Sequence, residues 1–316
     1  MKALIIRFSS IGDIILTTPV IRCLKRQLQA EIHFLTKEAY KSLLSNNPYV
    51  DKIITLEKLS LKQLQDENYN LVIDLHKNLR TFKLRPFLTG KYLTFKKENI
   101  KKWMMVRFKR SSYRPIASIV ERYFQGLESI NIEDDGLGLD FFLDPDYEDR
   151  TNRTIPSIPY YVLVLGANYY TKRIPLEKCV EIIKQNSFHC ILIGGDDTNE
   201  TGNNINELFP EKVINLVGKL NVHESAAVIK KSRYVVTGDT GMMHIAAAFQ
   251  KKTFVLWGST CKGFGMYPYY GFNHKNKSIH LEVTGLSCRP CSKLGYQKCP
   301  KKHFKCMFSQ DISSIS

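Results

Sequence analysis

The chain has 316 residues, which is long enough for two domains, and its 43% hydrophobic and 24% charged residues are typical of a globular protein. Its 46 Lys and Arg residues exceed its 30 Asp and Glu residues, which gives a net charge of +16. This excess indicates either a generally basic, solvated surface or a negatively charged partner: a nucleic acid, an anionic membrane or a phosphorylated substrate. The apolar start is interrupted at Arg7, and no apolar run reaches the about 18–20 residues of a spanning helix. We therefore expect a cytoplasmic protein whose membrane contact is peripheral.

Short apolar runs alternate with helical patterns in two separate stretches of the chain. The first stretch predicts strands at 2–8, 32–35, 52–56 and 71–75 and helices at 19–29, 38–44 and 59–67. The pattern loosens between residues 81 and 149. The second stretch then predicts strands at 161–165, 190–193, 234–236 and 253–257 and helices at 175–184, 222–231 and 242–249. This alternation predicts an α/β fold of two doubly wound domains, 1–152 and 153–316, with a linker rich in proline and aspartate at 144–159.

The first segment with candidate catalytic residues, 7–14 (RFSSIGDI), lies at the end of the first predicted strand. Gly12 permits a tight turn and a close backbone approach, and Asp13 is expected at the carboxyl edge of the sheet beside a helix start. A carboxylate at such a place either caps the helix or acts as a general base. No Gly-x-Gly-x-x-Gly follows the strand, which disfavours a dinucleotide-binding oxidoreductase.

A second segment, TGDTGMMHIAAA from position 237, lies between a predicted strand and a predicted helix and indicates a phosphate site. Glycines let the backbone approach a ligand, and a helix N-terminus offers free N–H groups and a positive dipole end. Taken singly, Asp239 is explained as a helix cap and His244 as a surface histidine, but the combination favours phosphate binding. The candidate residues are Gly238, Asp239, Thr240, Gly241 and His244.

A third segment, residues 166–175, again follows a strand and precedes a helix. Its Lys172 and Arg173 are suited to a diphosphate, although a lone Lys-Arg pair is most often simply solvated. Because ligands bind beyond the carboxyl ends of parallel strands, we expect these residues near a ligand.

These segments resemble those of glycosyltransferase family 9, the ADP-heptose:lipopolysaccharide heptosyltransferases. The motifs that carry the resemblance follow the family's order over nearly the whole chain: 7–14 with Thr18-Pro19, 74–80 (DLHKNLR), 171–173 (TKR), Gly194-Gly195, 239–244 and 256–260 (LWGST). The first motif and the Asp-Thr-Gly…His motif are specific, whereas the Gly-Gly turn is weak.

The resemblance implies a GT-B architecture, in which two Rossmann-like domains face a cleft, the N-terminal one binding the acceptor and the C-terminal one the donor. It implies an inverting transferase that moves heptose from ADP-heptose to the lipopolysaccharide inner core, on Kdo-lipid A or on a core heptose. A family member with another nucleotide sugar or acceptor is the alternative. By the match, Asp13 is the base, and Ser9 and Ser10 lie beside the reacting sugar. The residues that would hold the ADP diphosphate are Lys172, Asp239, Thr240, Gly241 and His244.

The implied acceptor is a lipid-linked, phosphorylated oligosaccharide. His76, Lys77 and Arg80, at the end of another predicted strand, are candidates for binding its acidic sugar. In the transition state negative charge grows on the departing diphosphate, where Lys172 and a helix N-terminus stabilise it electrostatically. We therefore expect catalysis that needs no cofactor and no metal ion.

Residues 91–114 form a basic and aromatic segment in which Ile100, Trp103, Met104 and Phe108 share one face of a predicted helix. Surrounded by lysines and arginines, this face suits an anionic membrane, here the inner face of the cytoplasmic membrane. The same composition also suits nucleic acid, and the face could instead pack into the protein's own core. The lipid-linked acceptor that the resemblance implies favours the membrane.

Four cysteines lie close together near the end of the sequence: Cys288, Cys291, Cys299 and Cys306. The short spacing of the first pair fits a structural zinc site, while the wider spacing of the second pair leaves reduced, unliganded thiols as the alternative. A disulfide is less expected in a reducing cytosol. The other four cysteines lie in apolar contexts and are predicted to be core residues.

A different class of function is a basic nucleic-acid-binding protein without catalysis. It would explain the net charge of +16 and the segment 91–114. It leaves the phosphate-type turns and Asp13 without a role. We therefore predict a transferase and expect no nucleic-acid partner.

Overall fold

The structure is a computed structural model that describes residues 1–109, 115–155, 157–272 and 277–315. These residues form two compact units. The first contains the described residues of 1–97, 117–142 and 269–273, and the second contains those of 98–116, 143–268 and 274–316. The main change of unit falls at 142/143, whereas the predicted boundary is 152/153, and residues 98–116 of the predicted N-terminal domain belong to the second unit.

A five-stranded parallel sheet forms the centre of the first unit. Its strands are β1 (Lys2–Ile6), β2 (Glu31–Thr36), β3 (Lys52–Thr55), β4 (Leu71–Asp74) and β5 (Lys91–Thr94). They lie in the order β3-β2-β1-β4-β5, and every neighbouring pair is parallel. The helices of this unit are α1 (Ile11–Ile15), α2 (Thr18–Leu28), α3 (Leu61–Asp66), α4 (Leu79–Leu84) and α6 (Ile119–Gln125), while α5 (Asn99–Phe108) belongs to the second unit. A 3₁₀ helix at Glu38–Leu43, of which only Leu43 is buried, replaces the predicted helix 38–44.

The second unit is built on a six-stranded parallel sheet. Its strands are β6 (Tyr160–Val164), β7 (His189–Ile193), β8 (Val213–Asn215), β9 (Tyr234–Thr237), β10 (Lys252–Leu256) and β11 (Ser278–Leu281), in the order β11-β10-β9-β6-β7-β8. Its other helices are α7 (Pro145–Thr154), α8 (Leu176–Gln185), α9 (Asn199–Leu208), α10 (Val222–Lys231), α11 (Gly241–Ala248) and α12 (Lys305–Phe308). All residues of β6 and the last four of β1 are buried, as expected for strands covered on both faces. None of the described helices is long and apolar enough to cross a bilayer.

The segment predicted as a linker is largely helical, because α7 covers most of it. Asp144 caps this helix by accepting a hydrogen bond from the Asp146 N–H at 3.0 Å. Tyr147 stacks on His223 of α10 with a ring separation of 5.4 Å, and Glu148 pairs with Lys230 at 2.7 Å. This part of the chain is therefore packed on the second unit, and the linker prediction is wrong for it.

Arg22 is a buried charge of the first unit. Its side chain lies in α2 and is 2% exposed. It donates from Nε and Nη2 to the Asp135 carboxylate at 2.8 and 2.7 Å, and to the Gly138 carbonyl at 2.9 Å, and it also pairs with Asp140. Arg22 thus connects α2 to residues 135–140, which belong to no strand or helix.

Replacement of Arg22 by alanine is expected to destabilise the first unit by about 3–5 kcal/mol, because two partly buried carboxylates lose their counter-charge. Denaturant unfolding followed by fluorescence measures the loss. The control is Arg26→Ala, whose guanidinium is 53% exposed and 3.8 Å from Asp135, and which should cost less than about 1 kcal/mol. Equal losses in the two variants would contradict the assignment.

Candidate active site

Asp13 lies in the first turn of α1, at the carboxyl edge of the first unit's sheet. Its Oδ1 pairs with Arg7 Nη2 at 2.6 Å, and its Oδ2 accepts hydrogen bonds from the Ser10 N–H at 3.1 Å and the Ser10 hydroxyl at 2.8 Å. The bond to the Ser10 N–H is the capping interaction that the sequence allowed. The Asp13 side chain is nevertheless 23% exposed, so its carboxylate can also meet a ligand.

Arg7 fixes both the charge and the orientation of Asp13. It donates from Nε to the Ser9 carbonyl at 2.9 Å and from Nη1 to the Leu75 carbonyl at 2.6 Å. Burial raises the pKa of Asp13, but the Arg7 charge and the Ser10 hydrogen bonds outweigh burial and hold that pKa below its ordinary value of 3.8. Asp13 is therefore ionised at neutral pH and is held as a hydrogen-bond acceptor.

The turn after β4 lies beside this cluster, because β1 and β4 are paired in parallel and Ile6 is aligned with Asp74. Asp74 shapes the turn: its Oδ1 accepts from the His76 N–H at 2.9 Å and from the Lys77 N–H at 2.7 Å. The Lys77 ammonium donates to the Phe95 carbonyl at 2.8 Å, while Arg80 is exposed in the first turn of α4.

His76 packs against the Phe8 ring at a centroid separation of 4.8 Å. Burial, followed by the positive charges of Arg7 and Lys97, lowers the pKa of His76 to about 4. Its buried Nδ1 has no hydrogen-bond partner in the described part of the chain. His76 can therefore offer a hydrogen bond at neutral pH, but no positive charge.

In the second unit, Lys172 and Asp239 form an ion pair at 2.7 Å, although 67 residues separate them (239 − 172). Lys172 ends a 3₁₀ turn that follows β6, and Asp239 lies in the turn between β9 and α11. Thr260 Oγ1 donates to Asp239 Oδ2 at 2.9 Å. The carboxylate of Asp239 is thus occupied in holding Lys172, so its own contact with a diphosphate is unfavourable.

The N-terminus of α11 lies directly after Asp239. Thr240 is its N-cap residue but makes no side-chain capping bond, and its hydroxyl lies 3.0 Å from that of Thr237. His244 is buried in the first turns of the helix, not on the surface. At Gly238 an added Cβ would lie 2.1 Å from the Lys172 carbonyl, so only glycine permits this approach of the two turns. Lys172, Asp239, Thr240, Gly241 and His244 therefore lie together around the N-terminus of α11, whereas Ser9 and Ser10, which were also predicted to bind the donor, lie at the start of α1 in the first unit.

Ser9, Ser10, Asp13 and His76 meet at the edge of the first sheet, with Lys77 and Arg80 on the same turn. Sequence reasoning missed the roles of Arg7 and Thr260, although both lie inside motifs that it had singled out. The signal for Arg7 was its place after a buried strand beside an acidic residue. Thr260 offered no comparable signal, because its hydrogen-bond partner Asp239 lies in the turn after a different strand, β9.

The model of glycosyltransferase family 9 (heptosyltransferase) matches residues 59–296. The chain belongs to this family. It is 22% identical over 290 residues to lipopolysaccharide heptosyltransferase 1 of Campylobacter coli, covering 82% of this chain and 84% of the relative. A shorter match is to lipooligosaccharide heptosyltransferase 2 of Campylobacter jejuni. It is 34% identical over 124 residues, which cover 38% of this family 9 glycosyltransferase and 36% of the relative.

Solved structures show the same fold. Escherichia coli ADP-heptose LPS heptosyltransferase II aligns with a TM-score of 0.69 and 19% identity, covering 98% of both chains. Escherichia coli heptosyltransferase WaaC with ADP aligns with a TM-score of 0.67 and 19% identity, covering 89% of this chain and 92% of that one. The prediction of a GT-B fold with two Rossmann-like domains is confirmed.

Gly238→Ala is expected to weaken ADP binding at least tenfold, because the new methyl group would displace the Lys172 turn. Calorimetric titration with ADP measures the change. The control is Gly202→Ala in α9, where the added Cβ meets mainly the flexible end of Asn215. Unchanged ADP affinity in Gly238→Ala would show that this turn is not part of the nucleotide site.

Proposed function

We propose that this glycosyltransferase moves heptose from ADP-heptose to the inner core of lipopolysaccharide, on Kdo-lipid A or on a core heptose, with inversion at the anomeric carbon. The observation that carries the proposal is the ionised, partly exposed Asp13, held by Arg7 and Ser10 at the edge of the first sheet. In this proposal the predicted N-terminal domain, 1–152, binds the acceptor, and 153–316 binds the donor. Use of another nucleotide sugar or acceptor is the alternative.

On the acceptor, Asp13 accepts the proton of the attacking hydroxyl. A carboxylate with a lowered pKa is a weak base, so proton transfer follows formation of the new C–O bond rather than preceding it. Ser10 and Arg7 keep the carboxylate oriented, and Ser9 lies on the same turn, beside the reacting sugar. Arg80 is exposed and free to approach the acidic acceptor sugar, whereas His76 contributes a hydrogen bond and Lys77 is partly held by Phe95.

On the donor, the diphosphate binds at the N-terminus of α11, where free N–H groups and the helix dipole favour an anion. Lys172 neutralises the charge that grows on the departing ADP, and Asp239 acts by orienting Lys172. Thr240, Gly241 and His244 supply the remaining donors. Because these groups stabilise the leaving group by themselves, the transfer requires no cofactor and no catalytic metal ion.

The proposed acceptor is lipid-linked, and α5 is suited to the membrane that carries it. Ile100, Trp103 and Phe108 are 75%, 61% and 60% exposed, whereas Met104 is partly buried, so most of the apolar face predicted from sequence is directed outward. The opposite side of the helix is anchored by Met105, which packs with Ile116 and neighbours in the second unit. Lys101 and Arg107 flank the exposed face, and each such charge contributes about 1 kcal/mol at an anionic surface. Residues 110–114 of the predicted basic segment lie outside the described residues.

The four late cysteines have no part in the transfer chemistry. They are all free thiols, and three of them are only partly buried. A structural zinc ion, which the short spacing of Cys288 and Cys291 fits, is one assignment for them, and reduced, unliganded thiols are the alternative.

Asp13→Asn is expected to lower acceptor-dependent ADP release from ADP-heptose by about 10²–10⁴-fold, because the general base is lost. ADP affinity should not change, since no donor residue is altered. A coupled ADP assay with Kdo-lipid A as acceptor measures turnover, and Asp66→Asn on the exposed face of α3 is the control. Wild-type protein that binds ADP but produces no ADP from ADP-heptose in the presence of this acceptor would indicate another donor or acceptor. Full activity in Asp13→Asn would reject Asp13 as the base.

Trp103→Ala with Phe108→Ala is expected to lower binding to vesicles of phosphatidylethanolamine and phosphatidylglycerol about tenfold, because the exposed apolar face is removed. Co-sedimentation measures the bound fraction. The control is Leu208→Ala on α9, whose side chain is similarly exposed. Equal binding by both variants would contradict a role for α5, and salt-sensitive binding to duplex DNA that the double variant loses would favour a nucleic-acid partner.

A further inference from the structure

The loop after β10, residues 257–262 (the β10 loop), contacts both sides of the donor ion pair. Thr260 is 1% exposed, and its hydroxyl donates to the Asp239 carboxylate at 2.9 Å. The Ser259 hydroxyl lies 2.8 Å from the hydroxyl of Thr171, which directly precedes the lysine of the pair. The Ser259 N–H also donates to the Thr171 carbonyl at 3.2 Å. The position of the β10 loop therefore determines where both charges of the pair stand.

No side chain separates these turns from one another. At Gly238 an added Cβ would lie 2.1 Å from the Lys172 carbonyl, and at Gly258 it would lie 2.3 Å from the Thr171 carbonyl. The turn that carries Lys172 is thus in direct backbone contact both with the turn before α11 and with the β10 loop. Because close-packed backbone atoms cannot rotate aside as a side chain can, a displacement of the β10 loop also displaces the Lys172 turn.

A buried arginine holds the β10 loop in place. Arg289 is 4% exposed and donates from Nε to the Gly258 carbonyl and from Nη2 to the Thr260 carbonyl, both at 2.8 Å. The planar, rigid fork of a guanidinium group fits two acceptors at a fixed separation, whereas a lysine ammonium group is a single point charge on a flexible chain. Arg289 therefore fixes the distance between these two carbonyls, and with it the shape of the β10 loop.

Glu282, which directly follows β11, pairs with the same arginine. Its two carboxylate oxygens each lie 3.2 Å from a terminal nitrogen of Arg289, and Oε1 also accepts a hydrogen bond from the Lys262 N–H at 2.7 Å. The buried guanidinium charge is thus paired and hydrogen-bonded, as a stable buried charge must be. Arg289 and Glu282 together bind backbone groups at both ends of the 258–262 stretch.

The need to satisfy loop carbonyls does not by itself explain a buried ion at this place. The Cys291 N–H donates to the Ser259 carbonyl at 2.9 Å, so a neutral backbone group of the same segment satisfies the carbonyl between the two that Arg289 binds. A buried ion pair carries a desolvation cost that a neutral donor avoids, and it is therefore weak evidence for stability alone. Its contact with the loop that holds the donor ion pair indicates a role at the donor site.

We propose that Arg289 and Thr260 are positioning residues of the donor site. Arg289 shapes the β10 loop, and the shaped loop keeps the Thr260 hydroxyl on Asp239. The loop also keeps Ser259 on the turn that carries Lys172, so that the lysine ammonium group faces the diphosphate of the donor. Neither positioning residue touches the nucleotide. This inference rests on the proposed function only in taking the ion pair as the group that faces the diphosphate.

The first test is Thr260→Val in the full chain, which removes the hydroxyl but keeps the size and branching of the buried side chain. ADP affinity, measured by calorimetric titration, is expected to fall about tenfold, because a hydrogen bond to the Asp239 carboxylate is lost. Thr260→Ser keeps a hydroxyl and should restore most of the affinity. The matched control is Thr151→Val in α7, which removes a buried hydroxyl that donates to the Tyr147 carbonyl at 2.7 Å and should leave ADP affinity unchanged.

A double-mutant cycle distinguishes positioning from a general loss of structure. Asp239→Ala should itself weaken ADP binding, because Lys172 loses its partner. If Thr260 acts through Asp239, adding Thr260→Val to Asp239→Ala should change ADP affinity less than about twofold, since the two residues share one interaction. Effects of the two substitutions that simply multiply would contradict the proposal.

The second test is Arg289→Lys, which keeps the buried charge but loses the fork. ADP affinity is expected to fall about tenfold, because lysine cannot hold both carbonyls at once. Without ligand, hydrogen exchange at the amides of Thr171, Ser259 and Cys291 should accelerate about tenfold as the β10 loop is released. In turnover, the KM for ADP-heptose should rise while the KM for Kdo-lipid A stays unchanged. If the variant does not fold, Glu282→Gln loosens the same guanidinium group and should give a smaller loss of ADP affinity.

Wild-type ADP affinity in Thr260→Val, or in Arg289→Lys or its substitute Glu282→Gln, would overturn the proposal. So would a loss in Thr260→Val that Thr260→Ser fails to restore. Neither calorimetry nor hydrogen exchange requires heptose transfer. The expected losses of ADP affinity in a protein whose wild type has no turnover would reject the proposed function alone. Wild-type turnover together with variants that bind ADP normally would reject only this inference.

Discussion

Parallel strands present all their carboxyl ends at one edge of a sheet, and both candidate sites depend on that constraint. In the first unit the ends of β1 and β4 bring Arg7, Asp13 and the His76 turn together. In the second unit the turns after β6, β9 and β10 bring Lys172, Asp239 and Thr260 together. Residues that are far apart in sequence become neighbours because each follows a strand of the same sheet.

In each unit an ion pair determines what one carboxylate can do chemically. Arg7 keeps Asp13 ionised and leaves it partly exposed, so the carboxylate remains an acceptor. Asp239 is in the opposite position, since its carboxylate is occupied by Lys172 and Thr260 and leaves the lysine to face an anion. In the proposed reaction the same kind of contact therefore produces a base in one unit and an oriented cation in the other.

Much of this organisation could be predicted from the sequence. The central strands are continuous apolar runs, and the glycines and charged residues that follow them mark the turns. The strands that sequence reasoning missed are β5, β8 and β11, and all three are edge strands. Apart from Val213, their residues are at most partly buried, so their apolar pattern is weak. Helix α7 was mistaken for a linker because Pro145 and the aspartates around it are also typical of a helix start.

The sites were predicted less completely than the fold. Asp13 and the candidate donor residues could be proposed from the sequence because they lie in compact motifs beside strand ends. The supporting contacts of Thr260 and Arg289 could not, because each joins segments that are distant in sequence and no local pattern reports such a pairing. The exposure of Trp103 was likewise undetermined, since the same helical spacing suits a core face and a surface face.

The burial of His76 beside Phe8 has a consequence for acid denaturation. An imidazole in the unfolded chain takes up a proton near pH 6.5, whereas His76 in the folded chain does so only near pH 4. The unfolded state therefore binds more protons in this interval, and the stability that His76 contributes above pH 6.5 is lost progressively as the pH falls to about 4. The first unit thus begins to lose stability in mild acid, at a pH where Asp13, whose pKa is lowered, is still ionised.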